Sequence, residues 1–316
     1  MNLRLFVCAT CAVALVSVPL NAQRSNAAKK PAPKKPAVSA NKSPDMLPTQ
    51  VLLDRAGYST GEIDGAGGLN TRHAIAAFEF DKKTTIAEAL TAAEPATISY
   101  AITAEDAALP LTENIPKDMM EKAKLKRLEF KSMIELLGER FHASPTLLKK
   151  LNPSSQFAAG DSITVPNVQV VSDAEGKPVP DITVKVSKSN NTLTVVDASG
   201  ATLMHAPVTS GSAHDPLPLG PWTVTAIVRN PTFNYNPDLF WDAEPTHAKA
   251  KIPAGPNGPV GSVWIDISKP HYGLHGTPEP GSVGHTSSHG CVRLTNWDAL
   301  KLAAMVGKGT KVEFVE

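Results

Sequence analysis

From Ile182 onward, apolar and polar residues alternate with a period of two. Ile182, Val184 and Val186 fall on one face, Ser189-Asn190-Asn191 turn the chain, and Leu193 and Val195 continue the pattern. After a turn over 197–200, further strands are predicted over 201–208, 221–228, 262–267 and 311–315. One good helix interrupts them, with Asn296 as its cap, Leu300, Ala303 and Ala304 on its core face and Gly307 at its end. The C-terminal half therefore reads as a mainly β domain, a small barrel or sandwich.

The N-terminal half carries helical spacing instead. Leu47, Val51, Leu52 and Ala56 lie on one helix that Gly57 ends, and Asn70 is placed to cap a second helix bearing Ala74, Ile75 and Phe78. A mixed-charge helix is predicted over 118–128. Ser132 and Glu135 form a capping box, Ser144-Pro145 opens a helix with Leu147, Leu148 and Leu151, and a strand follows over 161–165. A partner strand is only faintly suggested over 128–130.

Two segments stand outside this pattern. Residues 1–22 have Arg4 before an apolar run and Leu20-Asn21-Ala22 at its end, as a secretory signal does. Residues 23–44, rich in Ala, Lys, Pro and Ser, have too little apolar surface to fold and read as a linker. With 31 basic and 30 acidic residues, the net charge of +1 gives no reason to expect nucleic acid as a partner. No later run is apolar enough for a transmembrane helix once the signal is removed.

An exported chain changes the meaning of its cysteines. Cys8 and Cys11 lie in the leader, which leaves Cys291 as a lone thiol bound for an oxidising compartment. It sits in Ser288-His289-Gly290-Cys291-Val292-Arg293-Leu294, downstream of Tyr272-Gly273-Leu274-His275-Gly276-Thr277. A cysteine and a histidine brought together by the fold suffice for thiol acyl transfer. Either His275 or His289 could be the base. His275, at the end of a strand-like segment, is better placed to meet the thiol from across a pocket. Gly290 permits a tight turn from which the N–H groups of Gly290 and Cys291 could face an oxyanion. A zinc site built from His271, His275, His285, His289 and Cys291 is the rival reading. The Gly- and Ser-rich run over 281–287 suits a substrate lid better than a metal clamp.

These residues closely resemble the signature of the L,D-transpeptidase (YkuD-like) catalytic domain. The likeness extends through Ser210-Gly211, Leu217-Pro218-Leu219-Gly220, Asn230-Pro231, Pro259-Val260-Gly261 and Gly309-Thr310. One departure is Leu219-Gly220 in place of the common Thr-Pro-x-Gly form. Gln50, Leu53, Gly57-Tyr58, Gly61, Asp64-Gly65, Gly68, Thr71, Ala74 and Phe78 resemble a peptidoglycan-binding domain, with Phe78-Glu79 where Phe-Gln is usual. Leu151-Asn152-Pro153 and Gly160-Asp161 resemble a LysM-like module.

The resemblances imply a multidomain fold. It would comprise a small α-helical module over 45–84, a connecting segment over 85–127, an α+β LysM-like module over 128–168 and the catalytic domain over 182–316. They imply Cys291 as nucleophile, His275 as general base and acid, Gly276 orienting it through its carbonyl, and Gly290 in the nucleophile turn. Arg293, Ser288 and His289 would shape that turn or meet substrate. Trp241, Tyr235 and Tyr272 are candidates for lining the cleft. The implied partners are peptidoglycan stem peptides and glycan, with no cofactor and no metal, in the periplasm or cell envelope. An L,D-carboxypeptidase and a non-catalytic wall-binding protein are the alternatives. If His275 activates Cys291, a thiolate population above that of a free thiol is expected near neutrality.

Overall fold

The computed structural model describes residues 45–316; the leader and linker expected over 1–22 and 23–44 lie outside the described residues. The chain begins with α1 (Leu47–Arg55), α2 (Leu69–Lys82) and α3 (Ile86–Thr91). It continues with β1 (Thr97–Ala101), the short helices α4 (Ala104–Ala108) and α5 (Met119–Lys122), α6 (Met133–Arg140), α7 (Pro145–Leu151) and β2 (Ser162–Pro166). The remainder is β3 (Thr183–Ser187), β4 (Thr192–Val196), β5 (Thr202–Pro207), β6 (Thr209–Ser210), β7 (Gly220–Arg229), β8 (Phe233–Tyr235) and β9 (Ala250–Ile252). Then come β10 (Val263–Ile267), β11 (Gly273–His275), β12 (Val292–Arg293), α8 (Asn296–Met305) and β13 (Lys311–Val315).

Nine strands form one mixed sheet in the order β5-β4-β3-β13-β7-β10-β11-β12-β6. The long β7 joins its two halves. Residues 220–223 pair with β13, and most of the strand beyond them pairs with β10. Alternation sends Val184, Val186, Leu193 and Val195 from one half, and Val263, Ile265, Leu274 and Val292 from the other, into a single core closed by Ala299, Leu302 and Ala303 of α8. The period-two reading of the C-terminal half thus marks its real strands.

In the N-terminal part, β1 and β2 pair antiparallel and α6 and α7 pack beside them. Ile102, Leu136, Leu137, Phe141, Leu148, Ile163 and Val165 share one buried cluster with Leu47, Val51 and Ile63 from around α1. Several motif residues hold one another. The Gln50 amide donates to Asp64 at 2.9 Å and accepts the Gly65 N–H at 2.8 Å. Asn152 exchanges two hydrogen bonds with the backbone of Thr164, tying α7 to β2.

Four local expectations are corrected. Residues 128–130 form no strand. Leu128 instead exchanges backbone bonds with the loop over 254–257, and Thr97–Ala101 is the partner of β2. The helix expected over 118–128 is only Met119–Lys122. Gly68, not Asn70, precedes the first residue of α2, because the Asn70 amide donates to the distant Val283 carbonyl at 2.9 Å. Thr295, not Asn296, caps α8: its hydroxyl accepts the Asp298 N–H, and the Asn296 amide is directed elsewhere.

Candidate active site

The site is assembled where β11 and β12 run parallel, with Leu274 opposite Val292 and His275 opposite Arg293. Leu274 and Val292 anchor both strands in the core, so His275 and the turn ending at Cys291 emerge at the same edge. That turn is fixed by Ser288. Its buried hydroxyl donates to the Cys291 carbonyl at 2.6 Å and accepts the Gly211 N–H at 2.7 Å, while the Ser288 N–H donates to the Gly211 carbonyl at 2.9 Å. None of these bonds uses the N–H groups of Gly290 and Cys291.

Gly290 is required twice. Its φ of +99° suits a residue without a side chain, and a Cβ there would lie 2.6 Å from the Tyr272 ring. The half-buried Cys291 thiol donates to the carbonyl of His271 at 3.7 Å. Burial pushes this thiol up to about 11, opposed by a hydrogen bond from the Gly273 backbone and by the charge of Arg293.

His275 is buried, and its Nδ1–H donates to the Gly276 carbonyl at 2.7 Å, which leaves Nε2 as the nitrogen able to take a proton. The imidazole stacks on Trp264 with ring centroids 5.5 Å apart. Burial pushes it down to about 4, the Gly276 bond opposing and Arg293 adding to the effect. Both shifts favour the neutral form of the group, the opposite sense to the thiolate-rich pair expected from sequence, because desolvation of each outweighs its charged neighbours.

Arg293 lies beside this pair, with no carboxylate at ion-pair distance among the described residues; Cys291, Glu279 and Asp242 are its nearest electrostatic partners. His289 leaves the thiol and turns to the segment between β8 and β9. Its Nε2 meets Asp242 Oδ1 at 2.8 Å, and its ring packs edge-on against Phe240. Of the aromatics proposed for the cleft, Tyr272 packs under Gly290, and Trp241 is exposed and stacks on His214. Tyr235 is instead buried in the β8–β9 cluster, where its hydroxyl meets His247 at 2.8 Å. Among the described residues, no three His, Cys, Asp or Glu side chains are grouped as metal ligands would be.

Trp264 and Asp242 went unmarked in the sequence, and Asn296 was marked only as a helix cap. Trp264 had a signal, since it falls on the opposite phase from Val263 and Ile265 in β10 and so cannot join the core. Asp242 had none, because a loop residue reveals its partner only when the loop is placed.

The family model of the L,D-transpeptidase catalytic domain (YkuD) matches residues 181–314. "Putative L,D-transpeptidase YkuD" of Bacillus subtilis is 30% identical over 177 residues, which cover 54% of this chain and 87% of that protein. The chain belongs to the L,D-transpeptidase (YkuD) family. "Putative L,D-transpeptidase YqjB" of the same organism is 30% identical over 142 residues, covering 43% of this chain and 72% of that one. Among solved structures, L,D-transpeptidase 3 from Mycobacterium tuberculosis is a distant likeness. It shares 19% identity over 50% of this chain and 75% of that chain, with a TM-score of 0.36. In this family member, Cys291, His275, Gly276, Gly290, Ser288 and Arg293 lie around the β11–β12 pair, and His289 faces the neighbouring segment.

Proposed function

We propose that the protein is an exported peptidoglycan L,D-transpeptidase that works through a thioester on Cys291. What supports this reading is the pairing of β11 with β12, in which His275 lies opposite Arg293, two residues after Cys291, together with the Gly276 bond that leaves His275 Nε2 open.

In the first step the Cys291 sulfur bonds to the carbonyl carbon of the third residue of a stem tetrapeptide, and the thiol proton passes to His275 Nε2. The N–H groups of Gly290 and Cys291 receive the oxyanion. Collapse breaks the peptide bond, the terminal D-alanine takes the proton from His275, and a thioester remains. In the second step a side-chain amine of another stem attacks that thioester. His275 accepts the amine proton and returns it to the leaving thiolate, which restores Cys291 and leaves the two stems linked by an amide.

A neutral thiol and a neutral imidazole suit this sequence, since the proton moves as the S–C bond forms. Arg293, which has no carboxylate at ion-pair distance among the described residues, is read as meeting a substrate carboxylate. The modules over 45–84 and 128–168 are read as holding the enzyme on glycan.

The test is intact mass of the protein after incubation with a tetrapeptide muropeptide, beside Cys291→Ala. A covalent adduct, or a cross-linked dimer with loss of D-alanine, only with Cys291 present supports the proposal. Tripeptide without dimer, even with added amine acceptor, would make it a carboxypeptidase; no adduct and no product would leave wall binding as its role.

A further inference from the structure

Asn296 is almost fully buried at the start of α8, and both ends of its amide are engaged. Its Oδ1 accepts the Ser262 N–H at 3.0 Å, and its Nδ2 donates to the Pro256 carbonyl at 3.2 Å and to Glu139 Oε1 at 3.1 Å. Gly276 and Gly261 lie directly against this amide, so closely that a Cβ on either would overlap Asn296 Oδ1. The peptide under which Asn296 sits is therefore the one whose carbonyl holds His275 Nδ1. Through Ser262, the same side chain also fixes the entry to β10, which carries the Trp264 ring stacked on His275.

Glu139 belongs to α6, outside the catalytic domain in sequence. Around it the two parts are knitted together: the Asn257 amide donates to the Glu129 carbonyl and to Glu135 Oε1, and Leu128 and Asn257 share a backbone bond. We infer that Glu139 is a positioning residue for His275, acting through Asn296 to fix the Gly276 carbonyl and so the tautomer and direction of the imidazole. The N-terminal part then completes the active site rather than only locating it. Burial, with Glu135, Glu62 and Asp298 adding to it and the Asn296 bond opposing, pushes the Glu139 carboxyl up to about 8. A largely protonated Glu139 is well mimicked by glutamine, whose carbonyl can accept the same bond, and not by alanine.

The functional meaning of this inference rests on His275 being the base, and the experiment separates the two. The imidazole titration of His275 is followed by NMR in the full chain, assigned by loss of its signal in His275→Asn. The rate of Cys291 acylation by a tetrapeptide stem is measured alongside. Wild type and Glu139→Gln should hold His275 neutral down to about pH 4. Glu139→Ala should weaken the Gly276 bond that supports the protonated ring, so that the midpoint falls below the wild-type value, and should slow acylation on the order of tenfold to a hundredfold through misplacement. Glu139→Met, which keeps the length of the side chain without the acceptor, gives the same reading if Glu139→Ala does not fold. Ser59→Ala breaks the Ser59–Asp298 bond across another part of the same junction and should change neither readout. An unmoved His275 titration in Glu139→Ala, or an equal shift in Ser59→Ala, would overturn the inference. Acylation unaffected by His275→Asn would instead defeat the base assignment, with the titration still deciding whether Glu139 positions the ring.

Discussion

His275 Nδ1 and the carbonyl of Gly276 are 2.7 Å apart in a buried site, and this contact sets both the tautomer and the facing direction of the imidazole. With Nδ1–H engaged, proton exchange with substrate falls to Nε2. Because burial holds His275 down to about 4 and pushes Cys291 up to about 11, the pair is neutral between those limits. Acylation should therefore stay level from pH 8 down to pH 5 and fall only as His275 protonates. Alkylation of Cys291 by iodoacetamide at pH 7 should be slower than that of a free thiol and climb toward pH 11. His275→Ala should cost ~10²–10⁴-fold in acylation. Alkylation that is already maximal at pH 7 would show a preformed thiolate and refute the neutral pair.

Ser288 closes the nucleophile turn from inside. Ser288→Ala leaves the buried Gly211 N–H without its side-chain acceptor, at a cost of about 1–3 kcal/mol. Thermal unfolding should register that loss, and kcat should drop while KM stays near its wild-type value, because the hydroxyl faces the protein.

Gly290→Ala should abolish acylation without unfolding the domain. The added Cβ meets the Tyr272 ring, and the φ of +99° is one that residues with a side chain rarely adopt. Tyr272→Ala in the same chain removes the ring but not the backbone strain. Full rescue by that second change would show that the clash alone mattered.

The His289–Asp242 pair links the nucleophile turn to the segment between β8 and β9. It is half-exposed, so its loss should alter stability by less than ~1 kcal/mol. The expected effect of Asp242→Ala is on substrate retention, a rise in KM of a few-fold with kcat little changed. A double-mutant cycle with His289→Ala should show the two changes acting as one.

Stability should fall as pH rises from about 4.5 to about 8. Over that range the folded chain keeps protons on Glu139 and Glu62, which burial pushes up to about 8 and about 7, while the unfolded chain has released them. The melting temperature should accordingly be higher at pH 5 than at pH 8.5, and Glu139→Gln should flatten the slope. At the acid end Asp54 acts in the opposite sense. Burial raises its pKa, but His142 and Lys301 lower it further, so its contribution is lost as pH falls below the usual carboxylate range.

The sequence by itself determined the strands of the C-terminal half and marked the residues of the proposed site. Alternation is a local property, and Val184, Val186, Leu193 and Val195 show their buried face without reference to any partner. Gly290, Cys291 and His275 were equally legible, because a tight glycine turn and a lone thiol are recognisable within a few residues. Tertiary structure alone decided what the polar side chains meet. Asn70 and Asn296 both looked like helix caps, and each reaches a loop remote in sequence, the first half-buried and the second fully buried among those distant partners. The same holds for ionisation: only packing takes water from His275 and from part of Cys291, and no spacing of residues along the chain reveals the direction in which each is shifted. His289, two residues from the thiol, turns away to Asp242, and Glu139, far away in the chain, reaches the amide beneath Gly276.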